Sequence, residues 1–205
     1  DSFWDGGTTA TATAAGLAGR GGNDTIDNSA AIVTSASADT GSTGVTATLA
    51  GASASLVNST AEALAVGVDG GDGDDSITNS GAVSASTTAS ADTVAVSVAG
   101  VGASFAGDQW SENTLAQATA IGIDGGAGND TIANSAAITA AAVSISDATA
   151  VSVSLVGYAD SEAENTSASS AAGLSGGEGN DTVDNSGAIA VVSSATADAG
   201  NVTVN

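Results

Sequence analysis

The chain has no cysteine, proline, histidine or methionine, one basic residue in 205, and few aromatics: 2 Trp, 1 Tyr and 2 Phe. Each absence removes a class of answer. Without Cys or His there is no disulfide and no soft-ligand metal site. Only carboxylates, amide side chains and main-chain carbonyls remain, the hard oxygens that Ca²⁺ takes. Without His, Cys or Lys, a general base or nucleophile reduces to a carboxylate or a hydroxyl. The acids recur with a period instead of gathering once, so the chain reads as a non-enzyme. A formal charge of −22 excludes nucleic acid and anionic membrane as electrostatic partners. Acidity of this order also suits disorder, but 42% hydrophobic residues and a mean hydropathy of +0.23 argue for a packed fold. No apolar run reaches the ~18 residues of a spanning helix. No signal peptide opens the chain, and its Asp1-Ser2-Phe3-Trp4 start reads as a processed or cut end.

What is present is a repeat. Gly125 to Ile138 reads GGAGNDTIANSAAI, and the same stretch recurs as GGDGDDSITNSGAV from Gly70 and GGEGNDTVDNSGAI from Gly176. A looser copy, GRGGNDTIDNSAAI, starts at Gly19. The pivotal aspartates Asp24, Asp75, Asp130 and Asp181 are 51, 55 and 51 residues apart. A near-fixed period of this length marks a repeat architecture. The expected organisation is a single domain, 1–205, of four repeats at about 1–53, 54–108, 109–160 and 161–205.

Three copies begin G-G-x-G-x-D-x-U-x, with U a large apolar residue. The pattern resembles the calcium-binding nonapeptide of the RTX family of secreted bacterial proteins. The resemblance implies a glycine turn that binds Ca²⁺ through the Asp carboxylate and turn carbonyls, with U pointing into a parallel β-roll. Carried over by position, the implied ligands are Asp75, Asp130 and Asp181, among turn glycines Gly70, Gly71, Gly73, Gly125, Gly126, Gly128, Gly176, Gly177 and Gly179. Ile77, Ile132 and Val183 are the implied inward residues. Asp69 and Asp124, just ahead of the turns, are further candidate ligands. Asp72 and Glu178 sit at the variable position and read as solvated charge or, alternatively, as ligands. The sequence departs from the family in two ways. It carries one nonapeptide per repeat instead of a tandem run, and Arg20 replaces the second glycine of the first copy, where a cation repels Ca²⁺. The plainer alternative is a Gly-Asn-Asp turn that only joins strands.

Period-two alternation before each turn, as in Ala61/Ala63/Ala65 and Ala116/Ala118/Ala120, predicts a strand (C) with alanines on one face. A short strand (D) follows each turn, then Asn28, Asn79, Asn134 and Asn185, which suit a stacked amide ladder, an Asx turn, or both. Strand A is expected to end at Asp39, Asp92, Asp147 and Asp198, taken as corners. Strand B brings Val94, Val96, Val98, Val151, Val153 and Leu155. A looser loop, Asp108–Glu112 or Tyr158–Glu162, is expected to close the repeat. The predicted fold is all-β: a parallel β-solenoid in which one repeat makes one wide, flattened coil, with strands D and A sharing a side. Two or three narrower coils per repeat, or an antiparallel sandwich, are the rival registers.

Function follows from repetition. The expectation is an extracellular, calcium-stabilised structural protein: a subunit or segment of a bacterial surface fibre, sheath or adhesin stalk. Trp4 and Trp110 each lie 20 residues before a pivotal Asp, and the chain stops within strand B. The ends are therefore nearly complementary in phase, which predicts head-to-tail association with itself. The alternative is a module that grips a surface glycan through Trp4, Trp110 and Tyr158. Sequons at Asn58, Asn165 and Asn201 are compatible with glycosylation.

Overall fold

A computed structural model describes residues 5–107 and 113–205, and every element there is a β-strand. Phe3, Trp4, Trp110 and the Asp108–Glu112 loop lie outside the described residues. In chain order the strands are β1 (Asp5–Ala18), β2 (Thr25–Asn28), β3 (Ile32–Ala50), β4 (Ser53–Asp69), β5 (Ser76–Asn79), β6 (Val83–Gly107), β7 (Thr114–Asp124), β8 (Thr131–Asn134), β9 (Ile138–Glu162), β10 (Asn165–Ser175), β11 (Thr182–Asn185) and β12 (Ile189–Val204).

All pairing is parallel and in register. Thr11 lies opposite Glu62, Glu62 opposite Gln117, and Gln117 opposite Ala168. Partners are therefore one sequence repeat apart, and each repeat forms one layer. Among the described residues every strand partner lies 51 or 55 positions away. Three ladders result: β1–β4–β7–β10, β2–β5–β8–β11 and β3–β6–β9–β12. The first and third join where Ser53–Ser55 pair with Ser104–Ala106. The offset is 51 at Ser55↔Ala106 and 55 at Thr60↔Leu115, so four extra residues (55 − 51) enter between Ala106 and Leu115. No helix among the described residues is long and apolar enough to cross a membrane.

The interior has three zones, each set by side-chain size. Midway, inward alanines of β4 and β7 (Ala61, Ala63, Ala65, Ala116, Ala118, Ala120) meet Ala85, Ala89, Ala91, Ala140 and Ala142 of β6 and β9. Methyl against methyl lets the two walls approach closely. Beside the glycine turns the space widens, and Val68, Ile77, Val83, Ile123, Ile132 and Ile138 fill it. At the far end the filler is partly hydroxyl. Ser97 donates to Ser53, and Ser152 donates to Ser104, both at 2.9 Å.

Four expectations need correction. The acids Asp92 and Asp147 do not end strands: β6 and β9 run through them with unbroken in–out alternation. An outward carboxylate costs nothing in an extended strand, so acid recurrence alone does not mark a corner. Asp39 also stands out of line, since Gly41 and not Asp39 pairs with Asp92. The loop expected at Tyr158–Glu162 is the end of β9, with the extra residues carried only by the second layer. Strand D does not share a side with strand A; β2, β5, β8 and β11 form their own sheet. Finally, Ile77 and Ile132 are buried as expected, but Val183 is 46% exposed. It lies in the fourth layer, covered on one side only.

Glycines set the wall spacing at one point. A Cβ on Gly67 would strike Val83 Cγ1 and the Gly122 carbonyl, and one on Gly122 would strike Ile138 Cγ2 and the Gly173 carbonyl. Branched residues on one wall thus need no side chain on the other. Gly122→Ala should cost about 1–3 kcal/mol of stability by overpacking, read as a lower urea midpoint at unchanged slope.

Candidate functional site

The turns before β2, β5, β8 and β11 share one geometry. The residue at the second position has positive φ in every layer: Arg20 81°, Gly71 101°, Gly126 99° and Gly177 92°. The fourth position, Gly22, Gly73, Gly128 and Gly179, is also left-handed. Two demands meet at the second position. The left-handed backbone favours glycine. A Cβ would also collide with the layer in front: Gly71 with the Arg20 carbonyl, Gly126 with that of Gly71, Gly177 with that of Gly126. Arg20, in the first layer, meets only the first demand. Between the two glycines the third residues pair directly, Gly21↔Asp72↔Ala127↔Glu178. Asp72 and Glu178 themselves are exposed.

The pivotal aspartates close each turn onto the next layer. The Asp24 N–H donates to Asp75 Oδ1 (2.7 Å), Asp75 N–H to Asp130 Oδ1 (2.8 Å), and Asp130 N–H to Asp181 Oδ1 (2.9 Å). Asp75 and Asp130 are buried, at 3% and 1% exposure. The second oxygens, Oδ2 of Asp24, Asp75 and Asp130, are buried with no hydrogen-bond partner. Leaving such an acceptor dry is costly.

Those orphaned oxygens face a small cradle that only glycine leaves open. The position a Cβ would take on Gly70 is 2.8 Å from Asp75 Oδ2 and closer still to the Gly125 carbonyl oxygen. At Gly125 the neighbours are Asp130 Oδ2 (2.7 Å) and the Gly176 carbonyl, and at Gly19 they are Asp24 Oδ2 (2.9 Å) and the Gly70 carbonyl. Asp181 Oδ2 lies 2.7 Å from the same point on Gly176. The dry Oδ2 atoms and the glycine carbonyls near them are hard oxygens of the kind Ca²⁺ takes. No group of three or more Asp, Glu, His or Cys side chains with metal-site geometry occurs among the described residues. An ion here would draw its remaining ligands from main-chain carbonyls and water.

The flanking acids add charge to this corner. Asp69 and Asp124 are register partners, and Oδ1 of Asp124 is buried without a partner. Burial pushes the Asp69 carboxyl up and the Asp124 carboxylate adds to it. A hydrogen bond from the Gly71 main chain opposes the rise, and Asp75 and Asp72 reinforce it. Asp92 is also raised, first by burial and then by Asp147 and Asp39.

Two further columns flank the aspartates. Asn28 Nδ2 donates to Asn79 Oδ1 (2.7 Å), Asn79 to Asn134 (2.7 Å), and Asn134 to Asn185 (2.6 Å). The other amide proton of each goes to the carbonyl two residues on, at Ala30, Gly81, Ala136 and Gly187. Ladder and Asx turn coexist. The second column, Asn23–Asp74–Asn129–Asn180, went unnoticed in the sequence: Asn23 Oδ1 accepts from Asp74 N–H, Asp74 Oδ1 from Asn129, and Asn129 Oδ1 from Asn180. The signal was available, since all four precede a pivotal Asp directly. Elsewhere, Tyr158 donates to Asp160 Oδ2 (3.2 Å) and packs at 6.0 Å, tilted, against Phe105. No protein-family model, characterised protein or solved structure matches the chain.

Three outcomes test this geometry. Arg20→Gly should stabilise by about 1 kcal/mol by releasing the left-handed strain, read as a raised denaturation midpoint. Asn134→Ala, which strands the Asn79 amide proton and the Asn185 oxygen in the stack, should cost about 1–3 kcal/mol and more than Asn185→Ala at the outer layer. The raised carboxyls fix a sign for pH: the folded state holds these protons more firmly than the unfolded one. Stability from Asp69 and Asp92 is therefore full below the ordinary carboxylate range and is lost as pH rises through the raised values. In metal-free buffer, Asp69→Asn should flatten the fall in melting temperature between acidic and neutral pH; a steeper fall would contradict the assignment.

Proposed function

We propose that this chain is a structural unit, not an enzyme: a parallel β-solenoid of four one-coil repeats serving as a subunit or segment of an extracellular bacterial fibre, sheath or adhesin stalk. The observation that carries this reading is that the polar residues at the glycine corner recur once per layer and bond to their own equivalents. Asn28, Asn79, Asn134 and Asn185 are one such column, and Asp24, Asp75, Asp130 and Asp181 another. A catalytic centre needs one unique constellation, whereas these columns extend a stack.

Calcium is part of the proposal. The orphaned Oδ2 atoms of Asp75 and Asp130, with the carbonyls of Gly125 and Gly176 beside them, are the groups that would hold it, with Asp181, Asp69 and Asp124 adjoining. The ion would supply the positive charge that columns of carboxylates in a chain of net charge −22 otherwise lack. A ligand bound only by the folded state stabilises it by mass action. Melting in Ca²⁺ should therefore exceed melting in EGTA at equal ionic strength, and coincident curves would sink calcium. Asp75→Ala or Asp130→Ala should lower Ca²⁺ stoichiometry, with Asp24→Ala changing it little beside Arg20.

Head-to-tail association is supported by open edges. Among the described residues β10, β11 and β12 have no strand on their far side, nor do β1, β2 and β3 on theirs. Such edges template further pairing, in an open, heterologous array. Arg20 resists continuation at the glycine corner, because its Cβ occupies the space that a preceding carbonyl takes in inner layers. Electron microscopy and light scattering with Ca²⁺ test the joint: filaments, promoted by Arg20→Gly, are expected, and a strictly monomeric chain at high concentration would refute it. The exposed Tyr158 ring against Phe105 favours a second reading, a glycan-gripping corner, which retention on a sugar column would support.

A further inference from the structure

The long strands carry their apolar face on the wrong side in one half. In the first half of β6 the inward residues are Val83, Ala85, Ala89 and Ala91, with Ser84, Ser86, Thr88 and Ser90 outside. Beyond Asp92 the chemistry inverts while the alternation continues. Inward now are Thr93, Ala95, Ser97 and Ala99; outward are Val94, Val96 and Val98. β9 does the same, with Ala150, Ser152 and Ser154 inside and Val151, Val153 and Leu155 outside.

The register stacks these valines into continuous columns. Val45, Val96, Val151 and Val202 form one, and Ala47, Val98, Val153 and Val204 the next. Leu49 and Leu155 flank them, at 87% and 73% exposure. The phase cannot be an accident of slippage. A one-residue shift would throw every inward residue outward, and the buried serines Ser53, Ser97, Ser104 and Ser152 already have hydrogen-bond partners inside. Contiguous apolar surface of this kind marks an interaction site.

We infer that this valine face is a side-by-side interface between two copies of this chain. Two observations select that occupant. First, the outward positions from Val94 to Gly100 and their partners in all four layers carry no charge, in a chain of net charge −22. The acid column Asp92–Asp147–Asp198 borders one rim only. A two-fold axis lying in the interface and parallel to the columns sets the two acid columns at opposite rims, so the pair closes without bringing them together. Second, a surface that interdigitates with columns repeating every ~4.8 Å must repeat at the same spacing, which another copy does by construction. Fifteen outward positions, four in each of three layers and three in the fourth (Gly200, Val202 and Val204), give about 500 Å² on each copy, from strand spacing and residue rise. The pair then buries about 1,000 Å², the lower bound for a specific contact. It should be a closed, concentration-dependent dimer, unlike the open array of end-on addition.

The test uses the whole chain in EGTA. Sedimentation equilibrium should show monomer and dimer, with the double variant Val96→Thr/Val151→Thr, which keeps shape and β-propensity, dimerising about tenfold or more weakly. Because the chain lacks cysteine, Val98→Cys installs a single thiol; oxidation should trap a disulfide dimer, whereas Thr88→Cys on the same strand should not. Equal sedimentation of the parent and the threonine variant overturns the proposal, as does equal trapping by the two thiols. Monomeric protein that instead floats with uncharged phosphatidylcholine vesicles overturns it in favour of a lipid surface.

Discussion

In-register stacking makes each residue the neighbour of its own equivalent, and the rest of the structure depends on which side chains tolerate that. An asparagine amide does, having both donor and acceptor: Asn28, Asn79 and Asn134 each give one proton forward and one to their own turn. A carboxylate does not, because it only accepts. The aspartate column resolves half of this by taking a main-chain N–H from the adjacent layer on Oδ1. The other oxygen stays dry, and it stays dry in three successive layers. The glycine corner is thus the electrostatic weak point of the stack, and the place where a cation has most to offer.

The same rule sets thickness. Two walls that meet through alanines, or through glycine against isoleucine, leave no room for Phe, Trp or Met, which accounts for a composition almost free of large residues. Hydrophobic burial per residue is accordingly modest. The backbone ladders and the polar columns must hold register, since the small side chains specify little by shape. Removing one amide from the Asn column therefore removes more than one hydrogen bond's worth of order.

Much of this was legible in the sequence, for definite reasons. The period marked a repeat while leaving the number of coils per repeat open, and alternation gave strands wherever Ala and Ser traded places. The Asn column was readable because an amide in that frame has an obvious partner one layer away. Alternation does not say which face is inside, however. Val94, Val96 and Val98 look like core until the register fixed upstream by Val83 and Ala85 places them outside. Asp92 looked like a corner because recurring acids often sit at turns, but an exposed carboxylate is equally at home mid-strand. Val183 holds the same motif position as Ile77 and Ile132 but has a neighbour on one side only, which no local pattern encodes.

Sequence alone marks Arg20 as a spoiled calcium turn, on the ground of its charge. The structure gives it a second meaning, on the ground of its Cβ. Glycine at that position answers both a left-handed backbone and the carbonyl of the layer in front, and the first layer imposes only the former. A residue can break the motif there at the cost of local strain, while the same residue at Gly71, Gly126 or Gly177 would force the layers apart. The stack is therefore directional. At one face a side chain projects toward the space a preceding layer would need, whereas at the other the Gly177 carbonyl stands as those of Gly71 and Gly126 do toward the layer after them.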